Sequence, residues 1–381
     1  MKRVVIWGAA ECGRKVYEML QQQSELKVVA IADKNVQKRG QMLYGMKIIT
    51  PEEILNLIHN GEIEVVIFAF ANSFYKEAAA MLRDCAVEAY IVPRHIQTFF
   101  DEYTSIEECL VSIDLSKPRI KQFDVNLVDH CNMKCKGCLR FSNLVETPFF
   151  ADFDKMIEDW RRMKELFWGV ERLKLMGGEP MLSPDLCRYI ESAREIFPDA
   201  DIMVTTNALL INENCTELFQ TMKENYCFFD ISLYAPMDER IGQVENILQK
   251  NDVWYIINDS KGEFYKVLSR EPKYDMDEAY EKCTARNCHH LREGKLSVCS
   301  RPQYAYIMNE MYHTNIPEDD GVWDIYHLEM DEWELDEKLS KGFEACRYCA
   351  PPVSYEWERA TIQNAQTPCS TFHPVPTHPS L

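Results

Sequence analysis

Two series of short apolar runs, each run followed by a helical pattern, constrain the fold of this chain most strongly. The first series contains RVVIWGAA (residues 3–10), KVVAIAD (27–33) and EVVIFAF (64–70). Runs that are apolar at every position are typical of parallel strands buried on both faces. The alternation with helices predicts an α/β fold, and residues 1–100 are predicted to form a Rossmann-like domain.

The second series begins at KQFDVNLVD (residues 121–129), and its repeated strand and helix patterns predict a parallel barrel or part of one over residues 120–275. Its later strand candidates are VERLKLMGG, ADIMVTTN, YCFFDISLY and DVWYIIND. Residues 101–119 are predicted to be a linker. A small cysteine-rich domain is predicted over 276–355, and the proline-containing end, 356–381, is predicted to be a disordered tail.

Charge and hydropathy exclude some classes of partner and location. The chain of 381 residues carries a formal net charge of −19, which argues against a nucleic-acid backbone as its main partner. No apolar run is long enough to span a bilayer, so no membrane partner is expected and a cytoplasmic location is predicted. Disulfides rarely persist there, so the fifteen cysteines are expected to be buried apolar residues, catalytic groups or metal ligands.

Three cysteines stand within nine residues of the segment HCNMKCKGC. Cys131, Cys135 and Cys138 form a C-x3-C-x2-C pattern directly after the first strand of the second series. A structural zinc site usually takes four protein ligands, and no fourth cysteine is near. Three thiolates suit a 4Fe–4S cluster that keeps one iron open for a ligand. A structural zinc site or a chance grouping is the alternative.

With this loop, the sequence resembles the radical S-adenosylmethionine (radical SAM) superfamily, whose hallmark is C-x3-C-x2-C after the first barrel strand. Three further segments carry the resemblance, in the order in which the family has them. They are the GGEP motif (Gly177, Gly178, Glu179, Pro180), the TN pair (Thr206, Asn207) and Ser232 on the fourth strand. The resemblance implies a partial (βα)6 barrel of the TIM type over residues 120–275. It also implies an enzyme whose cofactors are a 4Fe–4S cluster on the triad and S-adenosylmethionine, with a flavodoxin or ferredoxin-type electron donor.

The resemblance also implies residue roles and a chemistry. The two glycines would let the backbone approach the cofactor, Glu179 would accept hydrogen bonds from the methionine ammonium, and Ser232 would contact the ribose or carboxylate. The reduced cluster would cleave S-adenosylmethionine, and the 5′-deoxyadenosyl radical would remove a hydrogen atom from the substrate. One departure is Gly137, where an aromatic residue commonly covers the adenine. Phe141 is expected to take over that contact.

A second set of cysteines follows the barrel. It resembles the C-terminal extension, called SPASM or twitch, that holds an auxiliary 4Fe–4S cluster in radical SAM proteins. Five cysteines compete for four positions: Cys283, Cys288, Cys299, Cys346 and Cys349. The favoured set omits Cys288, which is nearly as good a choice as Cys283. A structural zinc site is the alternative, and His289 and His290 are expected to be surface residues.

The first βα turn resembles a dinucleotide-binding fingerprint without completing it. Gly8 and Gly13 flank Ala10 at a position where the fingerprint has glycine, and Asp33 ends the next strand. The segment resembles Rossmann-like modules of nucleotide-sugar enzymes, in which Asp33 would take a ribose hydroxyl pair. The alternative is a docking or dimerisation module that binds no ligand.

The sequence thus predicts a radical SAM oxidoreductase that oxidises or rearranges a small polar substrate, for which a sugar or nucleotide sugar is a candidate. A peptide-modifying maturase and a non-catalytic iron–sulfur sensor are the alternatives. Lys134, Lys136 and Arg140 flank the triad cysteines in an otherwise acidic chain. They are expected to form a basic patch that docks the acidic electron donor.

Overall fold

A computed structural model of the chain describes residues 1–22, 25–70, 74–259, 268–350 and 357–360. Contacts between Cα atoms divide the chain into two compact units. The first unit contains Met1–Lys121, Met163–Arg172 and Glu195–Asp201, and the second contains Gln122–Arg162, Leu173–Arg194 and Ile202–Leu381.

The first unit contains a seven-stranded sheet of order β3-β4-β2-β1-β5-β6-β7. Its strands are β1 (Lys2–Trp7), β2 (Leu26–Ala32), β3 (Met42–Leu43), β4 (Met46–Ile49), β5 (Val65–Phe68), β6 (Glu88–Ile91) and β7 (Val111–Ile113). Its helices are α1 (Glu11–Leu20), α2 (Pro51–His59), α3 (Tyr75–Leu82), α4 (Arg94–Thr98) and α5 (Ile106–Cys109). Within this order, the five neighbouring strands β4, β2, β1, β5 and β6 pair in parallel, which confirms the predicted α/β class.

Local sequence explains how these elements begin. The side chain of Thr50 accepts a hydrogen bond from the backbone of Glu53, whose own side chain binds the Thr50 backbone N–H, and Pro51 occupies the first helical position of α2. Such a capping box satisfies donors that the first helical turn leaves free. Val5 and Ile6 of β1 are fully buried, as expected for a central parallel strand.

Residues 101–119 differ from the predicted linker. They contain α5 and β7, and β7 pairs antiparallel with β6 at the edge of the first sheet. The local pattern does not predict this strand, because antiparallel pairing of a three-residue strand needs a partner that lies about twenty positions earlier. Most of the stretch therefore belongs to the first α/β layer rather than to a bare connection.

The second sheet has eight strands in the order β12-β11-β10-β9-β8-β13-β14-β15. Its strands are β8 (Arg119–Val128), β9 (Gly169–Gly177), β10 (Asp201–Thr206), β11 (Cys227–Leu233), β12 (Tyr255–Asp259), β13 (His289–Arg292), β14 (Lys295–Ser297) and β15 (Val322–Asp324). The helices are α6 (Phe153–Leu166), α7 (Leu186–Ile196), α8 (Thr216–Glu224), α9 (Ile241–Lys250), α10 (Met276–Glu281), α11 (Arg301–Tyr312) and α12 (Glu332–Leu339). Helices alternate with strands from β8 to β12, as the sequence predicts for a partial barrel.

The cysteine-rich region joins this sheet. Strand β13 pairs in parallel with β8, and β14 and β15 continue from it as antiparallel strands. Residues 276–355 and most of residues 120–275 therefore belong to the second compact unit. The predicted domain boundary between residues 275 and 276 stays a prediction. None of the helices in the described ranges is long and apolar enough to cross a bilayer.

The predicted disordered tail is wrong for four of its residues. The segment from Trp357 to Ala360 is described, and its backbone is paired with the loop that carries the cysteine triad. This pairing could not be read from the sequence, because the segment contains no strand pattern of its own. Residues 361–381 lie outside the described part of the chain.

Candidate active site

A cavity of about 400 Å³ in the second unit brings together most of the predicted site residues. Its lining includes the triad Cys131, Cys135 and Cys138, both glycines of the GGEP motif, the TN pair and Ser232. These residues follow or end strands β8, β9, β10 and β11, which are neighbours in the sheet. Carboxyl ends of parallel strands commonly build such sites.

The triad thiols differ in burial and in hydrogen bonding. Cys135 is buried, whereas Cys131 and Cys138 are half-buried. The Cys131 Sγ accepts a hydrogen bond from the backbone N–H of Met133 at 3.3 Å, and the Cys135 Sγ accepts one from the indole Nε1 of Trp357 at 3.2 Å. Burial raises the pKa of Cys131 and of Cys135 to about 12. Both are thiols at neutral pH until a metal displaces their protons.

The donor set fits an iron–sulfur cluster better than a single metal ion. Within the described ranges, no three His, Cys, Asp or Glu side chains are placed to hold one ion. A cubic cluster binds each thiolate at a different iron, so its ligands need not converge on one point. Three sulfur ligands around one cavity, with polar groups from β10 and β11 on its other walls, suit a cluster with one open iron.

The two motif glycines are needed by the backbone itself. A Cβ atom at Gly177 would lie 2.2 Å from the Val128 carbonyl oxygen, and one at Gly178 would lie 2.0 Å from that of His130. The Gly178 N–H donates to the Val128 carbonyl at 2.8 Å, and the Glu179 N–H donates to that of His130 at 3.1 Å. The end of β9 therefore lies directly against the backbone that leads into the triad loop.

Replacing Gly178 with alanine is expected to destabilise the protein by about 1–3 kcal/mol, because the new methyl group forces two backbones apart. Gly242→Ala is the control, since a Cβ atom at Gly242 in α9 meets nothing within 4 Å. That change should stabilise the helix by up to about 1 kcal/mol. Chemical denaturation of both variants measures the difference, and equal stability of the two would contradict the close backbone contact.

The carboxylate of Glu179 organises the loop after β10. Its Oε1 accepts hydrogen bonds from the Thr206 hydroxyl at 2.7 Å and the Met181 N–H at 3.2 Å, and its Oε2 accepts one from the Asn207 N–H at 3.0 Å. The side chain is 1% exposed and does not belong to the cavity lining. Its contact with the methionine ammonium stays a prediction, whereas its hold on the TN pair is visible.

Burial raises the pKa of Glu179 from 4.5 to about 7, although the three hydrogen bonds oppose the shift. A carboxyl group whose pKa is raised by folding stabilises the protein fully below its unfolded pKa. We therefore expect the protein without cofactors to lose about 3 kcal/mol of unfolding free energy as the pH rises from about 4.5 through 7. Denaturation at several pH values should show this slope for the wild type and for the exposed control Glu213→Gln, but not for Glu179→Gln.

Tyr234 is an aromatic residue of the site that the sequence analysis missed. It lines the cavity together with the three triad cysteines. It stands two positions after Ser232, so the strand period of two could have placed it beside that serine. Phe141, expected to cover the adenine, is instead buried in an apolar cluster with Leu268, Val298 and Tyr304 and does not line the cavity.

A polar network forms one wall of the cavity. Arg140 donates to Asp124 at 2.8 Å and contacts His290 Nδ1 at 2.9 Å, and Gln122 donates to Asp124 at 2.9 Å and to the Cys288 Sγ at 3.2 Å. The side chains of this network are buried or half-buried, and His290 is fully buried. The expectation of two surface histidines is wrong, because His289 is also only 3% exposed.

The predicted basic patch beside the triad is wrong in composition. Arg140 is 11% exposed and paired with Asp124, so it belongs to the cavity wall rather than to a docking surface. The ammonium of Lys136 is paired with Glu358 at 2.8 Å. Lys134 is the exposed member of the predicted patch. A docking site for an electron donor therefore needs other residues.

Arg301 is a buried cation of the cysteine-rich region. The pKa of its buried guanidinium is held above its ordinary range: burial alone would lower it, but Cys349, Cys299, Cys283 and Cys346 raise it. The Cys288 Sγ accepts a hydrogen bond from the Gln122 side chain at 3.2 Å. Which four of the five cysteines hold the auxiliary cluster stays a prediction. Cys288, Cys299 and Arg301 also line the cavity.

In the first unit, the fingerprint residues are held by their own chain. A Cβ atom at Gly8 would lie 2.2 Å from the Ala69 carbonyl oxygen, and one at Gly13 would lie 1.7 Å from that of Gly8. The carboxylate of Asp33 accepts the N–H of Ala9 at 3.0 Å and pairs with Lys38 at 2.8 Å. Burial favours the neutral acid, but these partners outweigh it and lower the pKa of Asp33. Nucleotide binding here stays a prediction.

The fold and the site define an α/β domain that presents three cysteines to a cofactor cavity. Residues 125–260 match the model of the radical SAM superfamily, so this part of the chain is a radical SAM domain. Residues 1–92 match a second model, described as "C2185-like, N-terminal". Neither match covers half of the chain.

Curated relatives include GTP 3′,8-cyclases. That of Staphylococcus carnosus is 25% identical over 146 residues, which are 36% of this chain and 43% of the relative. That of Nautilia profundicola is 28% identical over 111 residues, or 28% of this chain and 33% of the relative. The chain thus spans about two fifths or less of the length of these relatives.

Among solved structures, BtrN in complex with AdoMet and 2-DOIA is 18% identical, with a TM-score of 0.40 over 61% of this chain and 94% of that chain. UDP-D-quinovosamine 4-dehydrogenase from Vibrio fischeri is 23% identical, with a TM-score of 0.27 over 30% of this chain and 97% of that chain.

Proposed function

We propose that this protein is a radical SAM oxidoreductase that holds a 4Fe–4S cluster on Cys131, Cys135 and Cys138 and binds S-adenosylmethionine in the cavity beside them. The observation that carries the proposal is the cavity itself, whose lining combines the triad with the GG, TN and serine positions of the superfamily. We further propose a small polar substrate that contains a nucleotide or a sugar. The relatives named GTP 3′,8-cyclase support a nucleotide.

When bound, the reduced cluster supplies one electron to S-adenosylmethionine, and the resulting 5′-deoxyadenosyl radical removes a hydrogen atom from the substrate. The chain orients the reactants. Asn207 is held by Glu179 and donates to Asn132 at 2.7 Å, which ties the loop after β10 to the triad loop. Ser232 and Tyr234 offer hydroxyl groups from β11 and the residue after it.

The substrate end of the cavity is lined by paired charges. Lys174 pairs with Asp230 at 2.7 Å, and the same carboxylate accepts hydrogen bonds from the Thr205 hydroxyl at 3.0 Å and from Asn258. Lys174 and Thr205 line the cavity. Such groups can exchange hydrogen bonds with hydroxyl groups of a sugar, while a purely apolar substrate would leave them without partners.

We propose that Cys283, Cys299, Cys346 and Cys349 hold an auxiliary 4Fe–4S cluster that accepts an electron from the substrate. A substrate alcohol that loses a hydrogen atom becomes a carbonyl when it loses one further electron and its hydroxyl proton. A cluster held by these four cysteines would supply the acceptor for that electron, and solvent would take the proton. The buried guanidinium of Arg301, which lines the cavity, supports this role because a buried cation stabilises added negative charge.

The test is anaerobic incubation of reconstituted protein with dithionite and S-adenosylmethionine, followed by screening of nucleotides and nucleotide sugars for consumption. The proposal expects 5′-deoxyadenosine release that rises with one substrate class. Release that rises only with a peptide would favour a maturase. No cleavage by cluster-loaded protein would contradict enzymatic function and favour an iron–sulfur sensor.

A further inference from the structure

The chain segment Trp357–Ala360, here called the C-terminal strap, pairs with the triad loop. Cys135 and Arg359 form an antiparallel bridge. The Lys136 N–H donates to the Glu358 carbonyl at 2.9 Å, and the Ala360 N–H donates to the Lys134 carbonyl at 2.6 Å. Backbone bonds on both sides of Cys135 therefore fix the middle of the triad loop to the strap.

Side chains strengthen the pairing on both sides of Cys135. The indole Nε1 of Trp357 donates to the Cys135 Sγ at 3.2 Å, and the Lys136 ammonium pairs with the Glu358 carboxylate at 2.8 Å. An indole can only donate, so the bond to sulfur has one direction. Cys135 is buried, whereas Cys131 and Cys138 are half-buried. Its burial limits the access of a water molecule that could replace the indole as hydrogen-bond donor.

We propose that the C-terminal strap is a built-in cap of the first cluster, in which Trp357 is a positioning residue that holds Cys135 and raises the reduction potential of the cluster. The inference rests on the proposed cluster at the triad. A hydrogen bond to a cluster sulfur stabilises the more negative, reduced state, and groups that orient metal ligands also slow metal loss. The strap thus makes the cluster easier to reduce and harder to strip.

Two truncations test the cap. A chain that ends after residue 360 keeps the strap, whereas one that ends after residue 356 lacks it. Iron release to a chelator from anaerobic, reconstituted protein should be about tenfold faster without the strap, the usual cost of losing a partner of a metal ligand. The 360-residue chain should release iron at the rate of the full chain. Equal release from the two truncated chains would overturn the cap.

A single substitution tests the hydrogen bond. Trp357→Phe keeps an aromatic ring but removes the donor, and Trp254→Phe is the control at an exposed tryptophan before β12. Redox titration by electron paramagnetic resonance in the Cys346→Ala/Cys349→Ala background follows the first cluster by itself. Trp357→Phe should move its potential to a more negative value, and Trp254→Phe should not. An unchanged potential in Trp357→Phe would overturn the role of the indole.

The iron content of the triad variants separates failure of the cap from failure of the proposed function. If Cys131→Ala/Cys135→Ala/Cys138→Ala protein binds as much iron as the wild type, no cluster sits on the triad, and the proposed function fails. If the triad binds iron but strap and indole variants behave as the wild type, the cap alone is wrong.

Discussion

Alanine at Cys131, Cys135 or Cys138 should abolish the release of 5′-deoxyadenosine from S-adenosylmethionine. In the proposed site each thiolate binds a different iron, so the loss of one thiolate removes the protein ligand of that iron. We expect reductive cleavage to fall to background in each single variant. The measurement is chromatographic detection of 5′-deoxyadenosine after anaerobic reconstitution and reduction with dithionite.

Cys85→Ala is the matched control, because Cys85 belongs to the apolar core of the first unit and to neither cysteine group. It should cleave S-adenosylmethionine at the rate of the wild type. Iron analysis adds a second readout, since the full chain should bind about eight irons in two clusters and the triple triad variant about four. Cleavage that persists in all three single variants would refute the assignment of the triad.

Alanine at both Cys346 and Cys349 should separate cofactor cleavage from product formation. Cys346 lies in the short 3-10 helix Glu344–Tyr348, and both cysteines pack in the apolar cluster that surrounds Phe343 and Tyr304. The variant retains the triad and its cavity, so it should still release 5′-deoxyadenosine. It should form no oxidised product, because the substrate radical has lost its electron acceptor. Mass spectrometry of substrate and product measures the separation.

Cys288→Ala is the control for this second group. Its thiol accepts a hydrogen bond from Gln122 and is outside the proposed ligand set, so the variant should keep about eight irons and form product. Loss of four irons in Cys288→Ala would mean that Cys288 is a ligand in place of Cys283. Zinc at the second site together with intact product formation would remove the electron-accepting role and leave these cysteines structural.

The sequence predicted that the motif residues lie close together, because each motif lies at the end of a strand and parallel strands bring such ends together. The triad, the glycines, the TN pair and Ser232 accordingly share one cavity. The sequence explained the glycines only by the approach of a ligand. The structure adds a second reason, because a side chain at Gly178 would collide with the backbone of His130. The partners of Glu179 were also missed, because hydrogen bonds between neighbouring loops depend on exact register.

The predictions that charged side chains lie on an exposed surface failed for a common physical reason. Lys134, Lys136 and Arg140 look alike in the sequence, but Arg140 has a buried carboxylate within reach and Lys136 meets Glu358. A motif records which residues are near in the chain and says nothing about partners that are far along it. The same limit explains why the sequence pattern predicts a disordered tail where the strap lies.

The strap also sets an order of events during synthesis. Trp357 and Cys135 are separated by 222 positions, so their contact forms only after all the residues between them have been synthesised. Contacts of such long sequence separation are among the last to form in folding, because closing the long loop costs entropy before the contact repays it. The triad loop is therefore complete, and open to a cluster, well before it is clamped. A cluster that loads onto a nascent or newly released chain would therefore reach an accessible loop, and the strap would pair with that loop afterwards.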